Sequence, residues 1–238
     1  MPDVDKITGR YLGGDYLSHN PSWDSKDSPW KAGLVLCLMQ SHRIEPRSIV
    51  DVGCGAGGVL GALRSALPAT AMTGFDIAPD AMRFWEQHLK AGIELKLGDF
   101  FTLADRQYDV LLALDVLEHL PNPFDFLARL RGHARYYVFH FPLDLSALSV
   151  LRESPLLFVR RKVGHVHYFT KGLALMLLEE CGYRVIESRY TGAAYSAPQP
   201  SWKTRLASIP RRVAYAVNKD WGARLLGGET LLVLARAA

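Results

Sequence analysis

Residues 48–58 read Ser-Ile-Val-Asp-Val-Gly-Cys-Gly-Ala-Gly-Gly, a short apolar run with one acid followed by a glycine-rich turn. The run Ser48–Val52 is too short and too rich in β-branched side chains for a helix, so it predicts a buried strand. Gly53, Gly55 and Gly57 lack a Cβ, which permits positive φ and a close approach of the backbone to a ligand. Apolar residues at helical spacing follow until Pro68. The sequence therefore predicts a strand, a glycine loop and a helix N-terminus, a junction that suits a nucleotide-like ligand.

Two families share features of this loop. The spacing Gly53-x-Gly55-x-x-Gly58 fits the dinucleotide-binding pattern, and Asp76 lies near the position of a ribose-binding acid. The same loop reads D-x-G-x-G-x-G from Asp51, which resembles motif I of the class I methyltransferases, which bind S-adenosylmethionine. From the loop alone, a methyltransferase, a dehydrogenase and a glycine turn without a ligand remain open.

Composition limits the classes of protein that the chain can represent. Of 238 residues, 49% are hydrophobic, enough for a sizeable core. The N-terminal residues are polar and acidic, which predicts no signal peptide, and the apolar run at residues 34–39 is far too short to span a membrane. The three cysteines are widely spaced and predict neither a disulfide framework nor a zinc site. We therefore expect a cytoplasmic protein with no membrane span.

Strand patterns alternate with helix patterns along most of the chain. Such alternation predicts right-handed crossovers and a parallel sheet, with ligands at the carboxyl ends of the strands. Further helices are predicted at 30–43, 79–91, 122–131 and 171–181, and residues 1–27 lack periodicity and predict a loop or frayed arm. The predicted strands are Ser48–Val52, Ala71–Asp76, Glu94–Leu97, Tyr108–Leu114, Ala134–Phe141, Tyr183–Tyr190 and Thr230–Leu234.

The resemblance to the class I methyltransferases extends over most of the chain and implies its fold. That fold is α/β, a Rossmann-like doubly wound sheet of seven strands, mostly parallel with an antiparallel last strand. We expect an N-terminal arm at residues 1–27 and one methyltransferase domain at 28–238. Two long connections interrupt it, a lid-like insertion at about 142–164 and a basic connection at about 191–229 that contains Lys203, Arg205, Arg211, Arg212, Lys219 and Arg224. A dehydrogenase would usually continue into a substrate domain, for which no residues remain.

The resemblance also implies a set of cofactor-binding residues. In the family, the acid of motif I orients the loop, the acid that ends the second strand binds the ribose, and the acid after the third strand contacts adenine. The corresponding acids here are Asp51, Asp76 and Asp99. The residues that the resemblance assigns to S-adenosyl-L-methionine are Asp51, Gly53, Cys54, Gly55, Gly57, Asp76, Ile77, Asp99, Phe100, Leu114 and Asp115.

Two further segments resemble the small-molecule branch that includes the ubiquinone-pathway and type 11 methyltransferases. These are ALDVLEHL at residues 113–120 and GHVHYFT at residues 164–170. They contain His119, His165 and His167, the candidates for a base that removes a proton from the acceptor. Some relatives hold a divalent metal with an E-x-x-E-H set, but here Asp115 takes the first position, and we expect no metal.

The sequence leaves the acceptor open. We expect methyl transfer to a small molecule at oxygen, nitrogen or carbon. The basic connection leaves room for an alternative, RNA or another anionic polymer. A non-catalytic domain that binds the cofactor and regulates a partner is a third interpretation. The apolar insertion, with the N-terminal arm, is expected to form the roof of the acceptor pocket, and the sequence does not predict an oligomeric state.

Overall fold

The computed structural model describes residues 4–21, 23, 26–193 and 202–238, without the side chains of residues 4–6, 15, 19 and 202–208. Its centre is a seven-stranded sheet. The strands are β1 Ser48–Val52, β2 Ala71–Asp76, β3 Glu94–Leu97, β4 Tyr108–Leu114, β5 Ala134–Leu143, β6 Tyr183–Tyr190 and β7 Glu229–Ala237.

The strand order is β3-β2-β1-β4-β5-β7-β6. All pairings from β3 to β5 are parallel, whereas β7 runs antiparallel to both β5 and β6. The predicted fold class, a mostly parallel doubly wound sheet with an antiparallel last strand, is therefore confirmed. The strand order reverses between β1 and β4, where such sheets open a crevice for a ligand.

Helices cover the sheet and its edges. In chain order they are α1 Val4–Leu12, α2 Asp15–His19, α3 Ser28–Ser41, α4 Gly58–Ala66, a 3-10 helix Pro79–Phe84, α5 Glu86–Lys90, α6 Phe100–Leu103, a 3-10 turn Leu117–His119, α7 Pro123–Leu130, α8 Ala147–Arg152, α9 Ser154–Lys162, α10 Lys171–Glu180, α11 Trp202–Val217 and α12 Lys219–Leu226.

Each face of the sheet has its own apolar core. On one face α3 and α4 pack against Ile49, Val110 and Leu112, and on the other α7 and α10 pack against aromatic residues such as Tyr137 and Phe139. Helix α3 is apolar nearly all round, and it buries Ala32, Val35, Leu38 and Met39. Burial on both faces explains why β4 is almost continuously apolar.

The N-terminal arm differs from the sequence prediction. It forms α1 and α2 rather than a loop or frayed segment. Long-range contacts hold it: the Arg10 guanidinium donates to the backbone carbonyls of Arg160 at 3.0 Å and Arg161 at 2.8 Å. Because these contacts are about 150 residues away in sequence, no local pattern could reveal them.

Three further predicted boundaries need correction. Strand β5 continues to Leu143 rather than ending at Phe141, and β7 runs from Glu229 to Ala237 rather than from 230 to 234. The two strands lengthen together because Tyr137 to Leu143 pair with Ala235 to Glu229 in one antiparallel ladder. The basic connection contains α11 and α12, and its Lys203 and Arg205 side chains lie outside the described residues. No helix in the described part of the chain is long and apolar enough to cross a membrane.

Candidate functional site

The glycine loop follows β1 at the carboxyl edge of the sheet. The backbone N–H groups of Gly53 and Cys54 donate to the Phe75 carbonyl at 2.8 and 3.0 Å, which ties the loop to β2. Gly53 and Gly55 have φ of 80° and 52°, values that side chains rarely adopt. Two adjoining cavities open beside this loop, of about 190 and about 370 Å³.

Asp76 closes the loop from the end of β2. One carboxylate oxygen accepts from the Gly55 N–H at 2.7 Å and the other from the Ala78 N–H at 2.8 Å. Burial raises the pKa of Asp76, and these backbone donors counteract the rise. A carboxylate oxygen has more than one lone pair, so Asp76 retains acceptor capacity toward the first cavity.

Asp51 is buried in β1 with 3% of its surface exposed. Desolvation and the nearby Asp76 raise its pKa to about 7, although Lys31 counteracts the rise. Asp51 therefore holds its proton to a higher pH than an exposed carboxyl group does. A cationic ligand group beside it would favour the ionised form.

Asp115 is the centre of a polar chain between three elements. Its carboxylate lies 2.6 Å from Lys31 Nζ of α3 and 2.6 Å from His140 Nδ1 of β5. Burial alone would raise the pKa of Asp115, but His140 and Lys31 hold it below its usual range. His140 Nε2 lies 2.7 Å from the Thr230 hydroxyl of β7. Asp115 has φ of 54°, a strained backbone conformation for a residue with a side chain, and the contacts of its carboxylate accompany this strain.

Glu118, His119 and His165 form a second cluster. Their potential ligand atoms all lie within 4.8 Å of one another. Neither Glu118 carboxylate oxygen has a hydrogen-bond partner among the described residues, and burial raises the Glu118 pKa well above its usual range. Burial lowers the pKa of His119 to about 3, so its imidazole is neutral.

The HVH segment is attached to this cluster through its backbone. The N–H groups of Val166 and His167 donate to the Glu118 carbonyl at 2.7 and 3.1 Å. His165 Nδ1 lies 2.6 Å from Asp144 Oδ2, a contact that fixes the imidazole and leaves Nε2 for another partner. His167 Nε2 instead lies 2.9 Å from the Leu120 carbonyl.

The N-terminal arm covers the glycine loop. Tyr16 and Trp23 line both cavities, and Tyr11 lines the first, where its ring meets His119 edge-on at 5.8 Å. From the 142–164 insertion, only Pro142 and Val163 line the second cavity. The roof over the site therefore consists mainly of the arm, whereas α8 and α9 lie beside it.

The structure brings together most of the residues that the sequence assigned to the site. Two predicted residues line neither cavity: Gly57, where a Cβ would lie 3.1 Å from the His88 ring, and His167. The remaining twelve predicted residues line at least one cavity: Asp51, Gly53, Cys54, Gly55, Asp76, Ile77, Asp99, Phe100, Leu114, Asp115, His119 and His165.

Sequence analysis missed three polar residues of the site. Lys31 belongs to a helix that read as a buried core element, and His140 and Asp144 flank the end of β5 within or beside apolar residues. The one available signal was their position along the chain. His140 lies near the carboxyl end of β5 and Asp144 directly follows it, at the sheet edge where the predicted acids meet.

Comparison with known proteins relates part of this architecture to a family model. Residues 50–136 match the model of a methyltransferase domain. The matched segment begins in β1 and ends in β5, so it contains the glycine loop, Asp76, Asp99 and the Asp115 segment. The matched segment is less than half of the 238 residues, so the likeness to a methyltransferase domain is shown for this part of the chain.

Related sequences cover less than half of this chain. A tRNA U34 carboxymethyltransferase of Nautilia profundicola is 28% identical over 114 residues, which are 44% of this chain and 37% of the relative. A ubiquinone biosynthesis O-methyltransferase of Glaesserella parasuis is 28% identical over 123 residues, 48% of this chain and 44% of the relative. The chain thus spans less than half the length of either relative.

Solved structures extend the likeness to the whole fold. The plantazolicin methyltransferase BpumL, in complex with a monoazolic desmethylPZN analog and SAH, superposes with a TM-score of 0.62 at 16% identity over 98% of this chain and 97% of that chain. The magnesium protoporphyrin IX methyltransferase ChlM of Synechocystis PCC 6803, with bound SAH, gives 0.59 at 15% identity over 88% and 83%.

The described residues that could hold a divalent metal are Glu118, His119 and His165. A buried carboxylate without a hydrogen-bond donor and two imidazoles are a chemically suitable donor set. Asp115, which occupies the first position of the metal-binding sequence pattern, faces Lys31 and His140 instead. The structure therefore gathers two groups of that pattern, Glu118 and His119, together with His165 of the HVH segment.

Proposed function

We propose that this chain transfers a methyl group from S-adenosyl-L-methionine to a small-molecule acceptor, at oxygen, nitrogen or carbon. The observation that carries the proposal is the lining of the first cavity. Gly53, Gly55, Asp76, Asp99 and Phe100 meet there at the carboxyl ends of three adjacent strands. A loop of backbone N–H groups with two acids suits a ligand that carries hydroxyl and amino groups.

The proposed cofactor roles follow the order of the strands. Asp76 accepts from the ribose hydroxyls, and Asp99, with Phe100 and Ile77, holds the adenine. Asp51, Gly53, Cys54 and Gly55 face the amino-acid end of the cofactor, as do Leu114 and Asp115. Gly57 contributes through the turn into α4, where it is the N-cap residue with φ of 77°.

Methyl transfer itself requires little acid or base catalysis by the protein, because the sulfonium already activates the methyl group. The protein must align the acceptor behind the methyl carbon and exclude water. The aromatic arm residues Tyr11, Tyr16 and Trp23 serve the second purpose, since they cover the glycine loop.

An oxygen or nitrogen acceptor must also lose a proton. We assign that proton to His165, whose Nδ1 is bound by Asp144 and whose ring lies 4.9 Å from His119 between centroids. The acceptor lone pair forms the bond to the methyl carbon while the carbon–sulfur bond breaks, and the proton passes to His165 Nε2. His119 and Glu118 shape the pocket wall, and His167 supports it through Leu120.

Among the named proteins, a ubiquinone biosynthesis O-methyltransferase and a magnesium protoporphyrin IX methyltransferase support a small acceptor. The tRNA U34 carboxymethyltransferase is the named relative that supports the RNA alternative. The arm roofs most of the cavity beside the glycine loop, which favours a small acceptor over a polymer, and turnover measurements distinguish catalysis from a non-catalytic cofactor-binding role. The cytoplasm remains the expected location.

Calorimetric titration with S-adenosylhomocysteine tests the proposal without knowledge of the acceptor. We expect saturable binding to the parent chain and none of NADH. Tight binding of NADH without any of S-adenosylhomocysteine would return the case to a dehydrogenase. Binding without release of S-adenosylhomocysteine from the methyl donor across a broad acceptor panel would favour the regulatory role.

A further inference from the structure

The outer surface of α8 and α9 exposes several large apolar side chains. Leu151 is 85% exposed, Phe158 59% and Val150 55%. Helix α9 buries none of its residues. Such a group of aliphatic and aromatic side chains marks a surface that contacts something else.

Positive charge surrounds these apolar side chains. Ser154, Leu157, Phe158, Arg161 and Lys162 line one shallow depression, because they recur at helical spacing on one side of α9. Residues 147–162 contain four basic residues and one acid, Glu153. Among the described residues, no acidic side chain forms an ion pair with Arg152, Arg160, Arg161 or Lys162. Lys162 Nζ lies 5.5 Å from the centre of the Phe158 ring.

The positive field continues onto α11. Burial lowers the pKa of Arg211, and the charge of Arg152 lowers it further. Arg152 and Arg211 line one groove together with Leu156 and Gly228. Asp144 also lines this groove, but its carboxylate lies 2.6 Å from His165 Nδ1 and forms no ion pair with either arginine, so the two guanidinium groups remain available to an anion.

From these features we propose that the α8–α9 surface docks this protein onto an anionic lipid bilayer. The surface has the two components of interfacial binding, exposed apolar side chains that enter the headgroup region and cations that pair with lipid phosphates. A nucleic acid fits less well, because aliphatic Leu151 and Val150 offer neither stacking nor charge. An acidic protein or a second copy of the chain are the competing occupants.

Docking has a consequence for the site. Helix α9 ends at Lys162, and the next residue, Val163, lines the second cavity. Arg10 of the arm donates to the carbonyls of Arg160 and Arg161, so the roof is attached to the same helix. The docked surface would therefore hold the second cavity close to the bilayer. The docking itself does not depend on the proposed methyl transfer.

Vesicle flotation of the full chain tests the proposal. Vesicles of phosphatidylcholine alone are compared with vesicles that contain about 30% phosphatidylglycerol, since each cation gains from the negative surface potential. We expect flotation with the anionic vesicles, reduced about tenfold or more when salt rises from about 0.1 to about 0.5 M. The double variant Leu151→Ser/Arg161→Glu should reduce the partition coefficient at least about tenfold.

A matched control makes the same chemical changes elsewhere. Leu89→Ser/Arg184→Glu alters an exposed leucine of α5 and an exposed arginine of β6. It should float like the parent, and circular dichroism should show that both variants fold. Charge-conserving Arg161→Lys should retain binding.

Three results would overturn the docking proposal. They are absence of flotation with anionic vesicles, equal loss in the two double variants, and flotation that ignores both lipid charge and salt. If the parent fails to float but self-associates in light scattering, and Leu151→Ser/Arg161→Glu is monomeric, the surface binds a second copy of the chain.

Discussion

The Trp23 indole lies directly over Gly55. A Cβ built on Gly55 would come within 2.6 Å of Trp23 Nε1, and Gly55 has φ of 52°. On its other side Gly55 is fixed by its carbonyl, which accepts from Trp85 Nε1 at 2.8 Å, and by its N–H, which donates to Asp76. The glycine loop is therefore enclosed between the body of the sheet and the arm.

Substitution Gly55→Val should abolish S-adenosylhomocysteine binding while the chain stays folded. The valine strains a positive-φ position and displaces Trp23, and either effect opens the loop. Trp23→Ala separates the two causes. If the valine acts only by displacing the indole, the double variant will bind as Trp23→Ala does, whereas additional loss in the double variant assigns the effect to the loop itself. A folded Gly55→Val protein that binds like the parent would contradict the cofactor placement.

Lys31→Met should destabilise the fold by about 2–4 kcal/mol, because it removes one partner of a mostly buried carboxylate. Lys31 and Asp115 are 18% and 23% exposed. Lys90→Met is the matched control, since it removes an ion pair to Glu86 whose groups are 73% and 82% exposed. That control should cost under about 0.5 kcal/mol. Urea unfolding measures both, and equal losses would refute the role given to the Lys31–Asp115 pair.

Asp51 should make stability fall as pH rises. Its folded pKa is raised from 3.8 to about 7, so between these values the folded chain keeps a proton that the unfolded chain has released. The unfolded state then binds fewer protons, and the free energy of unfolding decreases by an amount on the order of 3–4 kcal/mol. Asp51→Asn should lack this decrease and exceed the parent in stability at pH 8. Denaturant unfolding at pH 4 and pH 8 measures the effect, with exposed Asp105→Asn as control.

The sheet could be predicted from sequence because its signals are local. Ser48–Val52 ends before Gly53 and Tyr108–Leu114 ends before Asp115, and both strands have the predicted limits. The ends of β5 and β7 could not be predicted in the same way, because they lengthen only through pairing with each other. The helices of the N-terminal arm could not be predicted for a related reason. Arg10 and Tyr11 form hydrogen bonds to the backbone of Arg160 and Val163, which are distant in sequence.

The residues of the site also differ in whether local sequence signals could predict them. The acids and glycines of the site could be predicted from the sequence, because loops at strand ends combine unusual residue types with fixed spacing. Lys31 and His140 lie inside apolar elements, so the sequence did not indicate where their side chains lie in the fold. Only the fold shows that they meet on Asp115.

Chelation should leave methyl transfer intact. Asp115 is neutralised by Lys31 and His140, so one carboxylate and two imidazoles remain to hold a cation. We expect turnover in EDTA to match turnover in magnesium once an acceptor is found. Loss in EDTA with recovery in magnesium or manganese would instead assign Glu118, His119 and His165 as a metal centre, and Glu118→Gln should then abolish the recovery.

The two histidines of the HVH segment should differ in their effect on turnover. His165 lines the second cavity and is oriented by Asp144, whereas His167 Nε2 lies against the Leu120 carbonyl outside both cavities. His165→Gln should therefore lower kcat by about 100-fold or more for an oxygen or nitrogen acceptor, the usual contribution of a positioned base. His167→Gln removes a structural hydrogen bond, so it should lower thermal stability while kcat changes less than about threefold. Steady-state release of S-adenosylhomocysteine and thermal unfolding measure the two effects.

Asp144→Asn should lie between the two variants in kcat, because it leaves the base but loosens its orientation. Equal kcat for His165→Gln and the parent, in a protein that binds S-adenosylhomocysteine normally, would remove His165 from the reaction and leave acceptor alignment as the chemistry of the site.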